Sequence, residues 1–301
     1  MKILVLIVAQ ILAGVTAVTQ VPEDMLADAN LQPTSAYEQM LVEYDDSGTF
    51  YDNNGLDRNN EVYRWGAAVT SLYAYLENGS PKYLAGHEVD DSIYDDTVTF
   101  LAQAWNITDR TSAEEVIDRV LTNGHNAKCN QAIKEESDIK ALIKAIKRDF
   151  GDDFTYEDAL TIDEDYFKEN EIDTSEFYRV KGAACAYVRF GNDCLKGYDY
   201  IRLIRVITFS YQIGYLTKEE HDQLIYNIDI ALQQQYSSFK DIHECYYYGE
   251  MFRLGTKDRQ STSLINDIVK AISEMTDERY YTKIEKRFEK EISFNSASME
   301  E

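Results

Sequence analysis

Residues 196–252 read KGYDYIRLIRVITFSYQIGYLTKEEHDQLIYNIDIALQQQYSSFKDIHECYYYGEMF. This stretch decides the fold, because it spells three consecutive helices with legible ends. The first spans about residues 197–213. Its apolar residues Tyr200, Ile201, Leu203, Ile204, Val206, Ile207, Phe209, Tyr211 and Ile213 occupy nearly every side. A helix apolar all round is covered all round, so it belongs at the centre. Gly214 stands where a helix ends on a left-handed residue. Thr217 with Glu220 three residues on makes a capping box for the next helix. That helix keeps Leu224, Ile228, Ala231 and Leu232 on one face. Ser238 caps the third helix, and Asp241 sits in its first turn, where the helix dipole favours negative charge. Phe239, Ile242 and Tyr246 line one side of it.

Outward from this centre, the rest of the 301 residues is helical in pattern too. Residues 61–77 carry Trp65, Ala68, Val69, Leu72 and Leu76 at helical spacing, stopped by Asn78-Gly79-Ser80-Pro81. A helix is expected over 91–104, and another opened by a Thr111/Glu114 capping box. One long charged helix is expected over 126–150, with Ile139, Leu142, Ile143 and Ile146 as its stripe. Short helices follow near 156–160 and 163–168. A small-residue helix follows over 174–190, where Gly182, Ala183, Ala184 and Ala186 permit close packing. Two further helices cover 263–275 and 278–292. Alternating runs bounded by hairpin turns do not occur. The expectation is an all-α chain with a single irregular multi-helix domain over 61–292.

The N-terminus reads as an export signal. Lys2 supplies the positive start, residues 3–12 an apolar centre, and Val15-Thr16-Ala17 a small-residue cleavage site. The reading is a signal peptide over 1–17, a flexible acidic leader over 18–60 and a tail over 293–301. The chain is therefore expected outside the cell or in its envelope. In such a compartment Cys129, Cys185, Cys194 and Cys245 allow two disulfides in three connectivities. A break at Gly191-Asn192-Asp193 is needed before Cys185 and Cys194 could meet. None of the cysteine spacings is that of a zinc site.

Hydrophobic residues make up 44% of the chain, enough for a sizeable core, while the formal net charge is −24. So acidic a balance argues against nucleic acid and against anionic membrane surfaces, because both need basic partners. Gly-rich phosphate loops, nucleophile elbows and paired-histidine metal motifs do not occur, so neither a metal nor a cofactor is expected.

Several segments together resemble the bacterial domain-of-unknown-function family 1266. They are Arg64-Trp65-Gly66-Ala67, Trp105-Asn106-Ile107-Thr108-Asp109-Arg110 and Leu121-Thr122-Asn123-Gly124-His125. Tyr198-Asp199-Tyr200-Ile201-Arg202 and Gly214-Tyr215-Leu216-Thr217-Lys218-Glu219-Glu220 continue the series. Tyr236-Ser237-Ser238-Phe239 and Tyr248-Gly249-Glu250-Met251-Phe252 complete it. Tyr198 and Phe239 stand where the family usually has Trp, swaps that keep aromatic bulk. The resemblance implies a mostly helical single domain and no accepted reaction.

Three residues form the candidate site. Asp199 and Arg202 lie three apart on one helix face, within ion-pair reach, on a helix apolar enough to bury them. His125 follows Gly124 at a helix boundary and is a candidate neighbour. As chemistry, the set reads as Asp199 the base or ligand holder in a polar interhelical pocket of a hydrolase-like enzyme. As architecture, it reads as a structural ion pair with a capping histidine. The acidity and the Tyr246-Tyr247-Tyr248 cluster favour a binding or protein-interaction module with an unknown protein partner. His87, His221 and His243 are isolated in sequence.

Overall fold

The computed structural model describes residues 35–37, 60–86, 94–290 and 292, and every regular element among them is helical. In order the α-helices are α1 (Glu61–Leu76), α2 (Tyr94–Phe100) continuing into a π-turn (Leu101–Trp105), α3 (Arg110–Asn123), α4 (His125–Glu135) and α5 (Ser137–Asp149), with short 3-10 turns at Leu84–Gly86 and Gly151–Asp153. Then come α6 (Tyr156–Thr161), α7 (Glu164–Glu169), α8 (Phe177–Phe190), α9 (Lys196–Gln212), α10 (Lys218–Gln235) and α11 (Phe239–Leu254). α12 (Arg259–Asp277) and α13 (Tyr280–Phe288) close the series. None of these helices is long and apolar enough to cross a membrane. The signal and tail residues lie outside the described part.

α9 is wrapped as its composition demands, by α11, α10, α3, α4 and α1. Its residues from Leu203 to Ser210 are all buried. α11 is covered as completely and packs hardest against α8 and α9. Each large apolar side chain so covered contributes about 1.5–3 kcal/mol, which makes these two helices the cohesive centre. A smaller apolar cluster lies on the far flank of α9. There Val206, Phe209 and Ile213 meet Leu101, Ile107 and Val116.

The helix ends follow the expected local chemistry. Gly214 takes φ +83 after α9, a conformation open to a residue without Cβ. Thr217 and Glu220 close a capping box at α10, and Ser238 accepts the Asp241 N–H at α11. Asn60 caps α1 by accepting the Val62 N–H. Two residues of the expected leader dock on α3: the N–H groups of Ala36 and Tyr37 donate to Asp118, and Tyr37 is buried.

Some expectations need correction. The long helix over 126–150 is two helices, broken at Glu136, whose backbone is extended and whose carboxylate pairs with Arg179 of α8. The capping box of α3 is Asp109 with Ser112, earlier in the chain than Thr111 with Glu114, because Asp109 accepts the Ser112 N–H at 2.8 Å. Tyr246, Tyr247 and Tyr248 are all buried and present no surface. Gly191 takes φ +72 and breaks the chain after α8 as expected. Cys194, however, comes to Cys129 with its Sγ 3.9 Å away, while all four cysteines are buried free thiols.

Candidate functional site

The first N–H groups of any helix point outward without intrahelical partners. At α4 the cap residue is Gly124, which offers no side chain to accept them. Asp199, in the first turn of α9, accepts them instead. Its Oδ1 takes the N–H of His125 at 3.1 Å and its Oδ2 the N–H of Asn126 at 2.7 Å. A carboxylate there also answers the positive end of the α4 dipole. Gly124 is glycine because of this approach: a Cβ built on it would stand 2.8 Å from Asp199 Cγ.

His125, Asp199 and Arg202 are thus brought together, though not as a pair with a bystander. Asp199 turns to α4 rather than to Arg202. The guanidinium of Arg202 lies between the rings of Trp105 and Tyr198, 4.6 and 4.9 Å from their centroids. It also stands 3.3 Å from Nδ1 of His125, which in turn is 3.5 Å from Asp199 Oδ1. Arginine has only donors, so this contact calls for the His125 tautomer with its proton on Nε2. The His125 ring meets Tyr198 edge-on at 5.2 Å. His125 keeps 23% side-chain exposure, whereas Asp199 keeps 3%.

A second tier of polar contacts fixes the first. Asn126 Oδ1 accepts the Leu195 N–H, and the amides of Asn126 and Asn130 both donate to Asp193 Oδ1. Tyr198 donates its hydroxyl to Glu250 at 2.8 Å, and Glu250 pairs with Arg253. Tyr198 lies directly on Gly249, where a Cβ would come within 2.6 Å of its Cδ2. The aromatic position after Gly197, the glycine of Tyr248-Gly249-Glu250 and the glycine before His125 are therefore parts of one packed junction.

Chemically the junction has acceptors that are already engaged. A general base must reach its substrate with a lone pair, whereas Asp199 is 3% exposed and each of its oxygens already accepts a main-chain N–H. The stacked Arg202 holds position between rings. The arrangement suits a clasp joining α4, α9 and α11.

Pattern reading along the sequence missed a buried polar row on α9 and α10. Thr208 Oγ1 lies 3.3 Å from His221 Nε2, His221 Nδ1 lies 3.3 Å from Asp222 Oδ1, and Lys218 reaches the other Asp222 oxygen at 3.1 Å. Hydroxyl, imidazole and carboxylate stand in the order of a nucleophilic triad. Yet Thr208, His221 and Asp222 are completely buried, so no substrate approaches. Burial pulls the His221 pKa below its usual value. His243 donates from Nε2 to the Val69 carbonyl at 2.9 Å and accepts at Nδ1 from the Tyr281 hydroxyl at 3.0 Å. Burial lowers its pKa to about 4. Asp229 is completely buried with neither oxygen hydrogen-bonded, and burial pushes its pKa well up. The available signal was an acid seven residues from Asp222, on the same face as Ile225 and therefore turned inward.

No curated protein and no solved structure matches the chain. The profile described as "Protein of unknown function (DUF1266)" matches residues 100–285. That span holds the whole His125–Asp199–Arg202 junction, while the Arg64-Trp65-Gly66-Ala67 segment falls before it. On this match, the chain belongs to the DUF1266 family of proteins of unknown function.

Proposed function

We propose that this chain is a non-enzymatic binding protein that acts outside the cell or in its envelope. The observation that carries the reading is that Asp199 keeps only 3% side-chain exposure and gives both oxygens to the α4 main chain, which argues against its reaching a substrate as a base. Export is supported by Lys2, the apolar run over 3–12 and Val15-Thr16-Ala17. A cleft of about 380 Å³ where α4 meets α5 and α8 carries Glu135, Glu136, Asp138, Asp173 and Glu176 on its walls. With a net charge of −24 behind it, such a cleft attracts a basic segment of a protein partner.

The test is capture of partners at low ionic strength from the source cells, using the wild-type chain beside Asp138→Lys/Asp173→Lys. Retention by the wild type and loss by the variant supports the reading. Equal retention by both, or no partner at low salt, contradicts it.

A hydrolase reading draws on the convergence of His125, Asp199 and Arg202. It needs turnover of an ester or phosphoester that disappears in His125→Gln. We favour binding because the aspartate the hydrolysis would use is buried against the α4 main chain.

A further inference from the structure

In this strongly acidic chain one of the clefts is lined by positive charge. A cleft of about 270 Å³ is lined by Arg64 of α1, Pro81 and Lys82 of the following turn, Arg287 of α13 and Ala67. Arg64, Arg287 and the nearby Lys290 all turn to a single carboxylate, Glu61. Arg64 Nη1 lies 2.9 Å from Oε1, Arg287 Nε 3.4 Å from Oε2 and Lys290 Nζ 3.7 Å from Oε1. One negative charge cannot balance three. Lys82 is exposed, and among the described residues no carboxylate lies within ion-pair distance of it. Arg64 keeps 43% side-chain exposure and Arg287 20%, and both side chains line the cleft. Burial, and after it the charge of Arg64, pulls the Arg287 pKa below the usual arginine range. The cations are held together against their own repulsion.

We propose that this cleft is the binding site of a small soluble ligand bearing a phosphate group. Guanidinium forks match phosphate oxygens two at a time, and an ammonium adds a point charge. A cleft lined by one sign of charge concentrates the field, and here that sign is opposite to the chain's net charge of −24. The volume is below the roughly 300–1,000 Å³ of drug-sized sites, so the ligand is small. Ala67 and Pro81 give it an apolar wall for the carbon part of a phosphomonoester. A nucleic acid backbone is disfavoured, because the chain's net charge of −24 repels a long polyanion. The site is separate from the acidic cleft between α4, α5 and α8.

The experiment titrates the full chain with inorganic phosphate and with glycerol phosphate at low ionic strength, read by calorimetry and by phosphorus NMR line width. Sodium chloride at matched ionic strength is the control. Saturable binding is expected in the wild type. Lys82→Gln removes an exposed side chain that pairs with no carboxylate among the described residues, so the fold is expected to survive, and it is expected to weaken binding about tenfold, the loss of one charged contact. Arg64→Gln/Arg287→Gln is expected to abolish it. The proposal is overturned if phosphate binds no better than chloride, or if Lys82→Gln and the double variant bind phosphate as the wild type does. It is overturned too if only vesicles of phosphatidic acid bind, because the site would then read a surface and not a soluble ligand.

Discussion

His243 lets the cohesion of the core be read as a function of pH. It bridges α11 to the Val69 carbonyl of α1 and to Tyr281 of α13, and it is completely buried. Its pKa falls from 6.5 to about 4 on folding because burial opposes the charged ring. The unfolded chain therefore takes up a proton below pH 6.5 that the folded chain refuses. The stabilisation is fully present above pH 6.5 and is lost as pH falls toward 4. At about 1.4 kcal/mol per pH unit across that window, the loss is about 3 kcal/mol. Asp229 and Glu244 act with the opposite sign, because burial raises their carboxyl pKa values, that of Glu244 to about 7. The wild-type profile alone mixes these contributions. The clean quantity is the stability difference between wild type and His243→Gln, measured by urea unfolding between pH 7.5 and pH 4. The wild-type advantage is expected to shrink by about 3 kcal/mol over that range. A difference that stays constant with pH would mean that the buried imidazole titrates as it does in water, and the reasoning fails.

Two further outcomes follow from buried groups. Asp229→Asn replaces an acid that must hold its proton to stay buried. The folded chain binds that proton above pH 3.8 where the unfolded chain has released it, so wild-type stability declines as pH rises. The variant is expected to lose that decline, about 1.4 kcal/mol per pH unit within the window, and to melt higher at pH 8; a parallel profile refutes it. Gly249→Ala gains about 1 kcal/mol of helix propensity but drives a methyl into Tyr198. Overpacking costs about 1–3 kcal/mol and is expected to win, giving a lower melting temperature that Tyr198→Leu partly restores. Equal stability would mean Tyr198 moves aside without cost.

Most of the architecture was legible because local rules and burial agree. α9 is apolar on every side and lies at the centre, Thr217 and Glu220 cap α10, and Gly214 takes the left-handed turn. The break at Glu136 was not legible. The periodicity over 126–150 runs through it, and the partner of Glu136 at the break is Arg179, distant in sequence. Asp199, Arg202 and His125 could be named as neighbours, but their roles could not. Spacing along one helix puts Asp199 beside Arg202, whereas the carboxylate answers the open end of α4, which only tertiary packing brings near. The Thr208–His221–Asp222 row and Asp229 escaped because charged letters on a helix normally read as its wet face. The tyrosines at 246–248 misled in the same way, since three in a row exceed what one face needs and the core surrounds all three.

Asp199 holds the start of α4 to α9. Amide hydrogen exchange of His125 and Asn126 in wild type and Asp199→Asn tests it most directly. The substitution keeps the size but puts an amide donor against one of the two N–H groups, a loss of about 1–3 kcal/mol. Faster exchange is expected at these two amides and through the first turn of α4. Unchanged protection at both amides would contradict it.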